Sequence, residues 1–113
     1  MRTIETDVEL TRGCARAVRE TLPEGSGGLT FRARVKKAGN PFDLTGYACV
    51  CHVQKADGSA GAQVAGEAGN GFAQATLPAS SFDMRGEVRL VLRVSKQSTG
   101  ERAALAVLTA RVE

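Results

Sequence analysis

The sequence predicts an all-β domain: an antiparallel β-sandwich of about 7–9 short strands. Three observations carry this. Apolar residues recur at every second position, as in Leu29, Phe31, Ala33 and Val35, and again in Val88, Leu90, Leu92 and Val94. The 13 glycines sit between apolar runs, where tight turns need them, rather than inside them. The chain has 113 residues, enough for one core and one domain over 1–113. It shows no internal repeat, which excludes a propeller or solenoid.

The elements follow in order. Residues 3–10 alternate, with Ile4, Thr6, Val8 and Leu10 on one face and Thr3, Glu5, Asp7 and Glu9 on the other, as in a strand with one wet side. From Cys14 to Thr21 the pattern is ambiguous. Cys14, Ala15, Val18 and Leu22 suit a helix about as well as Ala15, Ala17 and Arg19 suit a strand, so a short strand or irregular segment is expected. Residues 23–28, Pro-Glu-Gly-Ser-Gly-Gly, form a loop. The alternating strand 29–35 follows it. No Lys-Ser or Lys-Thr pair and no helix come next, so the glycines are a connection and not a phosphate cradle.

Residues 36–40 turn the chain into 41–59, which reads as turn, strand, turn. Asn40-Pro41 closes the preceding segment, because a residue before proline is pushed out of the α region. The strand spans 47–55, placing Tyr47, Cys49, Cys51 and Val53 on one face and Ala48, Val50, His52 and Gln54 on the other. Both faces are fairly apolar, so the strand is expected at the centre of its sheet. Asp57-Gly58 ends it. Residues 63–67 suggest a short strand. Asn70-Gly71 signals a hairpin of type I′, in which both central residues take positive φ. The strand 72–77 returns from it. Residues 78–86 connect without a clear period and have room for one helical turn capped by Ser80. The last hairpin pairs 87–95 with 102–112. It aligns Ala104, Ala106, Leu108, Ala110 and Val112 on one face, with Leu105, Val107 and Thr109 on the other.

Composition narrows the function. Hydrophobic residues make up 42% and charged residues 24%, ordinary for a globular protein. The net charge is +3, and the basic residues are scattered with no run longer than Lys36-Lys37. Solvated strand faces account for them, and nucleic acid is not expected as a partner. Trp is absent and Tyr47 is the one tyrosine, so aromatic platforms for sugars or single-stranded nucleic acid are poorly supplied. Residues 1–5, Met-Arg-Thr-Ile-Glu, lack the apolar core of a signal peptide. No run approaches the roughly 18–20 apolar residues of a membrane span. The three cysteines are therefore expected to be reduced, in a protein made in a cytoplasm and not associated with membrane.

Chemistry finds no foothold in the residues. Cys49, Cys51 and His52, with Cys14 as a fourth ligand, invite a zinc reading. Same-face residues two apart in a strand lie roughly 6.5–7 Å apart, however, and His52 points the other way. The same spacing disfavours a Cys49–Cys51 disulfide. His52 is the only histidine, so any catalytic triad must use it; Cys51 faces away from it, and nothing places Ser80, Ser81 or Asp83 beside it. Asp43, Asp57, Glu67 and Asp83 all adjoin turn signals, where carboxylates commonly bond to backbone. No catalytic, cofactor-binding or metal residue is assigned, no cofactor is implied, and the chain is expected not to be an enzyme.

The order of segments resembles a known family. The strand after Gly25-Ser26-Gly27-Gly28 is followed by Asp43-Leu44-Thr45-Gly46, a strand, and Lys55-Ala56-Asp57-Gly58. Then come Gly69-Asn70-Gly71, Leu77-Pro78 and the late strand pair opening at Gly86-Glu87-Val88. This ordered set is similar to the N-terminal domain of phage baseplate upper proteins, which occur on siphophages and prophages of Gram-positive bacteria. The resemblance implies an immunoglobulin-like sandwich in the virion. It also implies an adaptor that anchors to other tail or baseplate proteins and to copies of itself, a homo-oligomer without catalytic residues. An extracellular carbohydrate- or ligand-binding sandwich is the alternative, and it would want more exposed aromatics than are present. Unpaired strand edges are natural assembly sites, and the first strand is a candidate for docking or swapping between chains.

Overall fold

In a computed structural model the chain is described over residues 2–10, 16–22, 28–55, 57, 60–78, 82, 85–96 and 98–112. Its strands are β1 (Arg2–Glu9), β2 (Arg16–Leu22), β3 (Leu29–Lys37), β4 (Asn40–Pro41) and β5 (Ala48–Gln54), then β6 (Ala60–Ala65), β7 (Glu67–Gly69), β8 (Phe72–Leu77), β9 (Gly86–Lys96) and β10 (Glu101–Val112). They form two layers. The first has the order β1-β3-β8-β7, with β4 also paired to β3; the second has the order β2-β10-β9-β5-β6. The expected all-β sandwich is therefore what the chain builds.

Alternation places the core. On β1 the inward row Ile4, Thr6 and Val8 is buried while Thr3, Glu5 and Asp7 are exposed. Leu29, Phe31, Ala33 and Val35 of β3 are all buried, as are Val88, Leu90, Leu92 and Val94 of β9. These rows meet in one apolar cluster between the sheets, joined by Leu22, Leu44, Leu77 and Leu108. Each of the larger side chains, from valine to phenylalanine, contributes about 1.5–3 kcal/mol through burial. The segment left open between helix and strand is strand β2.

The pairing departs from a wholly antiparallel arrangement. β1 runs parallel to β3, from Arg2 opposite Leu29 to Glu9 opposite Lys36. β2 runs parallel to β10, from Arg16 opposite Ala106 to Leu22 opposite Val112. The cause is connectivity. Between β1 and β3 the chain visits the other sheet as β2, so β3 re-enters beside β1 in the same direction. Side-chain alternation carries no information about strand direction. The strand of 47–55 also sits one place off centre: β5 lies between β9 and β6, and β9 is the middle strand. Its faces fall as expected, with Cys49, Cys51 and Val53 buried and Ala48 and Gln54 exposed.

Two turns exchange the roles read from sequence. Asn70-Gly71 does join β7 to β8, with Gly69 opposite Phe72. Only Gly71 has positive φ, at 82°. Asn70 instead bridges Asp43, and Gly71 donates its N–H to the Phe42 carbonyl at 2.9 Å while its own carbonyl accepts from Val35 N–H at 2.9 Å. The hairpin end is thus stitched between β3 and residues 42–44, which holds Asn70 out of the left-handed region. The geometry with both central residues at positive φ occurs at Ala38 (52°) and Gly39 (82°), between Lys37 and Asn40. Alanine is a poor occupant there. The Glu9 carboxylate fixes the turn by accepting the N–H groups of both Ala38 (3.1 Å) and Gly39 (2.8 Å).

The last strand changes phase. Ala104 lies opposite Arg93 and Ala106 opposite Leu92, so Leu105 is an extra residue, a β-bulge. Leu105 and Ala106 are both buried, whereas Ala104 is exposed. The expected face Ala104-Ala106 therefore breaks at Leu105, where burial of a large side chain outweighs strict alternation. The residues 56, 58–59, 79–81 and 83–84, which include the expected Asp57-Gly58 turn end and the Ser80-capped turn, lie outside the described residues apart from Asp57 and the buried Phe82.

The chain changes layers at one residue. β6 belongs to the second sheet and β7 to the first, with Gly66 alone between them. Gly66 donates its N–H to the Cys49 carbonyl at 2.8 Å. A Cβ at this position would press on the Gln74 carbonyl oxygen and the Cys49 sulfur.

Two stability changes are expected. Ala38→Gly removes left-handed strain of about 1–2 kcal/mol and adds up to about 1 kcal/mol of unfolded-chain freedom, so chemical denaturation should show a net gain of about 0.5–1 kcal/mol. Gly66→Ala should lower stability by about 1–3 kcal/mol in the same assay, since the obstructing atom is backbone and cannot swing away.

Candidate interaction surface

The residues with chemical potential in the sequence are dispersed by the fold. Cys49 and Cys51 point into the core as free thiols, and half-buried His52 lies on the outer face of the same strand. Burial pushes the Cys49 thiol up to about 11, and the thiol donates a hydrogen bond to the Gln74 carbonyl at 3.8 Å. Burial, followed by the neighbouring Cys49, pushes Cys51 up to about 12. Both stay protonated at neutral pH and are poor nucleophiles and ligands in that state. Cys14 lies outside the described residues. Among the described residues no three His, Cys, Asp or Glu side chains gather as a metal cluster. No helix among them is long and apolar enough to cross a membrane.

The carboxylates divide. Asp43 accepts from the hydroxyl and, at 2.9 Å, the backbone N–H of Thr45. The hydroxyl bond first and the backbone bond second hold its carboxyl below the usual range. This is the turn role expected of it. Glu67 instead lies on the outer face of the first sheet, where it accepts from Gln74 Nε2 at 3.4 Å. Ser80, Ser81 and Asp83 lie outside the described residues.

What remains are surfaces, and the two outer faces differ. On the first sheet, the two arginines of β3 are each engaged by neighbours. Arg34 meets Asp7 at 2.9 Å and Glu5 at 3.8 Å across the β1–β3 pair. Arg32 donates to Gln74 Oε1 at 3.1 Å and stacks over the Phe72 ring at 4.5 Å. Thr30 and Thr76 share a hydrogen bond at 3.1 Å.

The outer face of the second sheet is organised differently. Its strand registers align Ala17, Val107, Val91, His52 and Gln63 in one row across all five strands. The three valines on this face, Val50, Val91 and Val107, are half-buried. On one side of that row lie Arg19 and Arg89, both opposite Thr109, and beyond them Arg111 opposite Glu87. On the other side Arg93 lies between Val50 and Ala104, and Arg102 is opposite Ser95. All five arginines are exposed. None is in an ion pair within the described residues. A shallow groove of about 450 Å³ runs beside Val50 and Ala104 under Arg93 and Arg102. Sequence reading missed this cluster because its members are far apart in the chain; the parity shared by Arg89 and Arg93 was the one local signal.

A second groove, about 310 Å³, opens at the end of the sandwich between Leu10, Phe42, Tyr47 and Leu105. Phe42 and Tyr47 meet edge to face at 6.4 Å. Lys37 sits over the Phe42 ring at 5.8 Å and Lys96 over Tyr47 at 5.4 Å. These rings are engaged with each other and with cations, and they do not present a flat open platform.

The buried thiols give a pH prediction. Each is held above the ordinary thiol value of 9.0, so the unfolded chain releases these protons at lower pH than the folded one. The thiols' contribution to stability is therefore complete below about 9 and is lost as pH rises toward about 12. Denaturation of the wild type and of Cys51→Val across that range should show a shallower loss for the variant. A thiol reagent at pH 8 should leave Cys49 and Cys51 unlabelled until denaturant is added, as read by peptide mapping.

No family model and no curated protein matches the sequence. Among solved structures, the fold is similar to the N-terminal domain of phage TP901-1 ORF48, with a TM-score of 0.62 and 16% identity over 100% of this chain and 99% of that one. The resemblance drawn from the turn motifs is thus met by a phage N-terminal domain whose whole length superposes on this chain, and the chain has that domain's fold.

Proposed function

We propose that the chain is a non-enzymatic structural component of a phage or prophage virion, an adaptor domain of the tail or baseplate that works by assembling with other virion proteins and with itself. The observation that carries this reading is the end-to-end match to a phage N-terminal domain, 100% of one chain on 99% of the other. It is supported by the ordered turn motifs, from Asp43-Leu44-Thr45-Gly46 to Gly69-Asn70-Gly71. The separation of Cys51 in the core, His52 on the outer face of β5 and Asp43 in a turn, and the protonated state of the thiols, speak for binding rather than chemistry. The engaged Phe42 and Tyr47 rings speak against the alternative of a carbohydrate-binding module.

β1, the expected docking strand, is an edge strand of the first sheet. β1 contributes Ile4 and Val8 to the core of its own chain. Removing it exposes that core, so loss of assembly by such a truncation would not identify an interface. The reading is tested on particles. Purified virions of the phage or induced prophage that encodes this chain should contain it in stoichiometric amount by mass spectrometry. Deletion of its coding sequence should yield particles lacking part of the tail tip by electron microscopy. Particles that lack the polypeptide, or that are complete and infectious without it, would overturn the proposal.

A further inference from the structure

We infer that the outer face of the second sheet is a docking surface for an acidic protein partner, one presenting carboxylates around an apolar patch. This rests on the assembly reading above and specifies which surface is used and what chemistry it meets.

The first support is charge. Among the described residues, the outward positions of β2, β10, β9 and β5 carry Arg19, Arg89, Arg93, Arg102 and Arg111, against one carboxylate, Glu87. On the opposite face of the molecule Arg34 is neutralised by Asp7 at 2.9 Å and Glu5 at 3.8 Å, and Arg32 is held by Gln74 and the Phe72 ring. The guanidiniums of the second sheet have no such partners within the described residues. Five unpaired like charges on one face raise the energy of the isolated domain and lower it again when carboxylates arrive.

Composition is the second support. The described outward positions of the second sheet hold arginine and no lysine, although the chain has lysines at 36, 37, 55 and 96. Arginine is enriched and lysine depleted at protein–protein interfaces, whereas a phosphate backbone accepts either. A planar fork pairs with a carboxylate through two hydrogen bonds and loses less water than an ammonium.

Geometry is the third. The arginines flank an apolar centre, the cross-strand pair Val107 and Val91 with Val50 beside it, and the groove under Arg93 and Arg102 adjoins that centre. An apolar middle inside a polar rim is the anatomy of a protein interface. Single-stranded nucleic acid would instead want several stacking rings, and among the described outward positions only half-buried His52 carries one.

The test uses polymers in place of the unknown partner. Binding of the chain to a 4:1 copolymer of glutamate and tyrosine, to polyglutamate of equal length and to duplex DNA is measured at low salt by biolayer interferometry. The copolymer should bind most tightly, and the double substitution Arg89→Glu/Arg93→Glu should weaken it at least tenfold. Arg89→Ser/Arg93→Ser should weaken it by less, and it guards against misfolding because it introduces no new charge. Lys36→Glu/Lys37→Glu, which makes the same change in net charge elsewhere, should leave binding within twofold. Tighter binding to DNA than to the copolymer would overturn the inference in favour of a phosphate backbone. Equal loss from both charge reversals would reduce the effect to net charge and overturn it as well. The particle experiment makes no reference to this face, so either proposal can fail alone.

Discussion

The two sheets are held at a fixed distance by rows of side chains that can point only inward, because a strand sends alternate residues to opposite sides. Leu29, Phe31, Ala33 and Val35 from one layer and Val88, Leu90, Leu92 and Val94 from the other are buried in one cluster. Every other feature answers to this packing. β5 can carry two thiols because its inward face offers a protein interior and not water. Gly66 lacks a side chain because the chain must cross from one layer to the other within a single residue, close to the Gln74 carbonyl. Leu105 breaks the alternation of β10 so that one more large side chain reaches the core.

Much of this architecture was legible in the chain itself. The inward rows of β1, β3, β5 and β9 follow from period two, and turns at 36–40 and 70–71 follow from Gly39 and Gly71. What was not legible depends on contacts between distant segments. The parallel placement of β1 and β2 is set by where the loops carry the chain, and alternation is blind to it. Asn70-Gly71 is a strong local signal for one turn type, but Phe42, Asp43 and Val35 claim its backbone groups and impose another. Ala38-Gly39 is a weak local signal for that same type, and the Glu9 carboxylate makes it hold from 29 residues away in sequence.

The surface was the least legible part. Along the chain, Arg19, Arg89, Arg93, Arg102 and Arg111 look scattered, which argues for solvated faces. Register gathers them. Thr109 stands between Arg19 and Arg89, and Ser95 faces Arg102, so positions separated by up to about ninety residues in sequence share a face some strand spacings of about 4.8 Å across. The thiols show the converse. Cys49, Cys51 and His52 are adjacent in sequence and look like a site, yet strand geometry sends them to opposite sides.

The parallel pairing of β2 with β10 also determines how the domain resists force. Seven residue pairs join these strands, from Ala106–Arg16 to Val112–Leu22. Because they run the same way, the beginning of β2 and the finish of β10 lie at opposite ends of the ladder. A pull applied between those two points loads all of its rungs together, in shear, where an antiparallel hairpin pulled from one end would peel open one rung at a time. Such an arrangement suits a part that must stay folded under mechanical load.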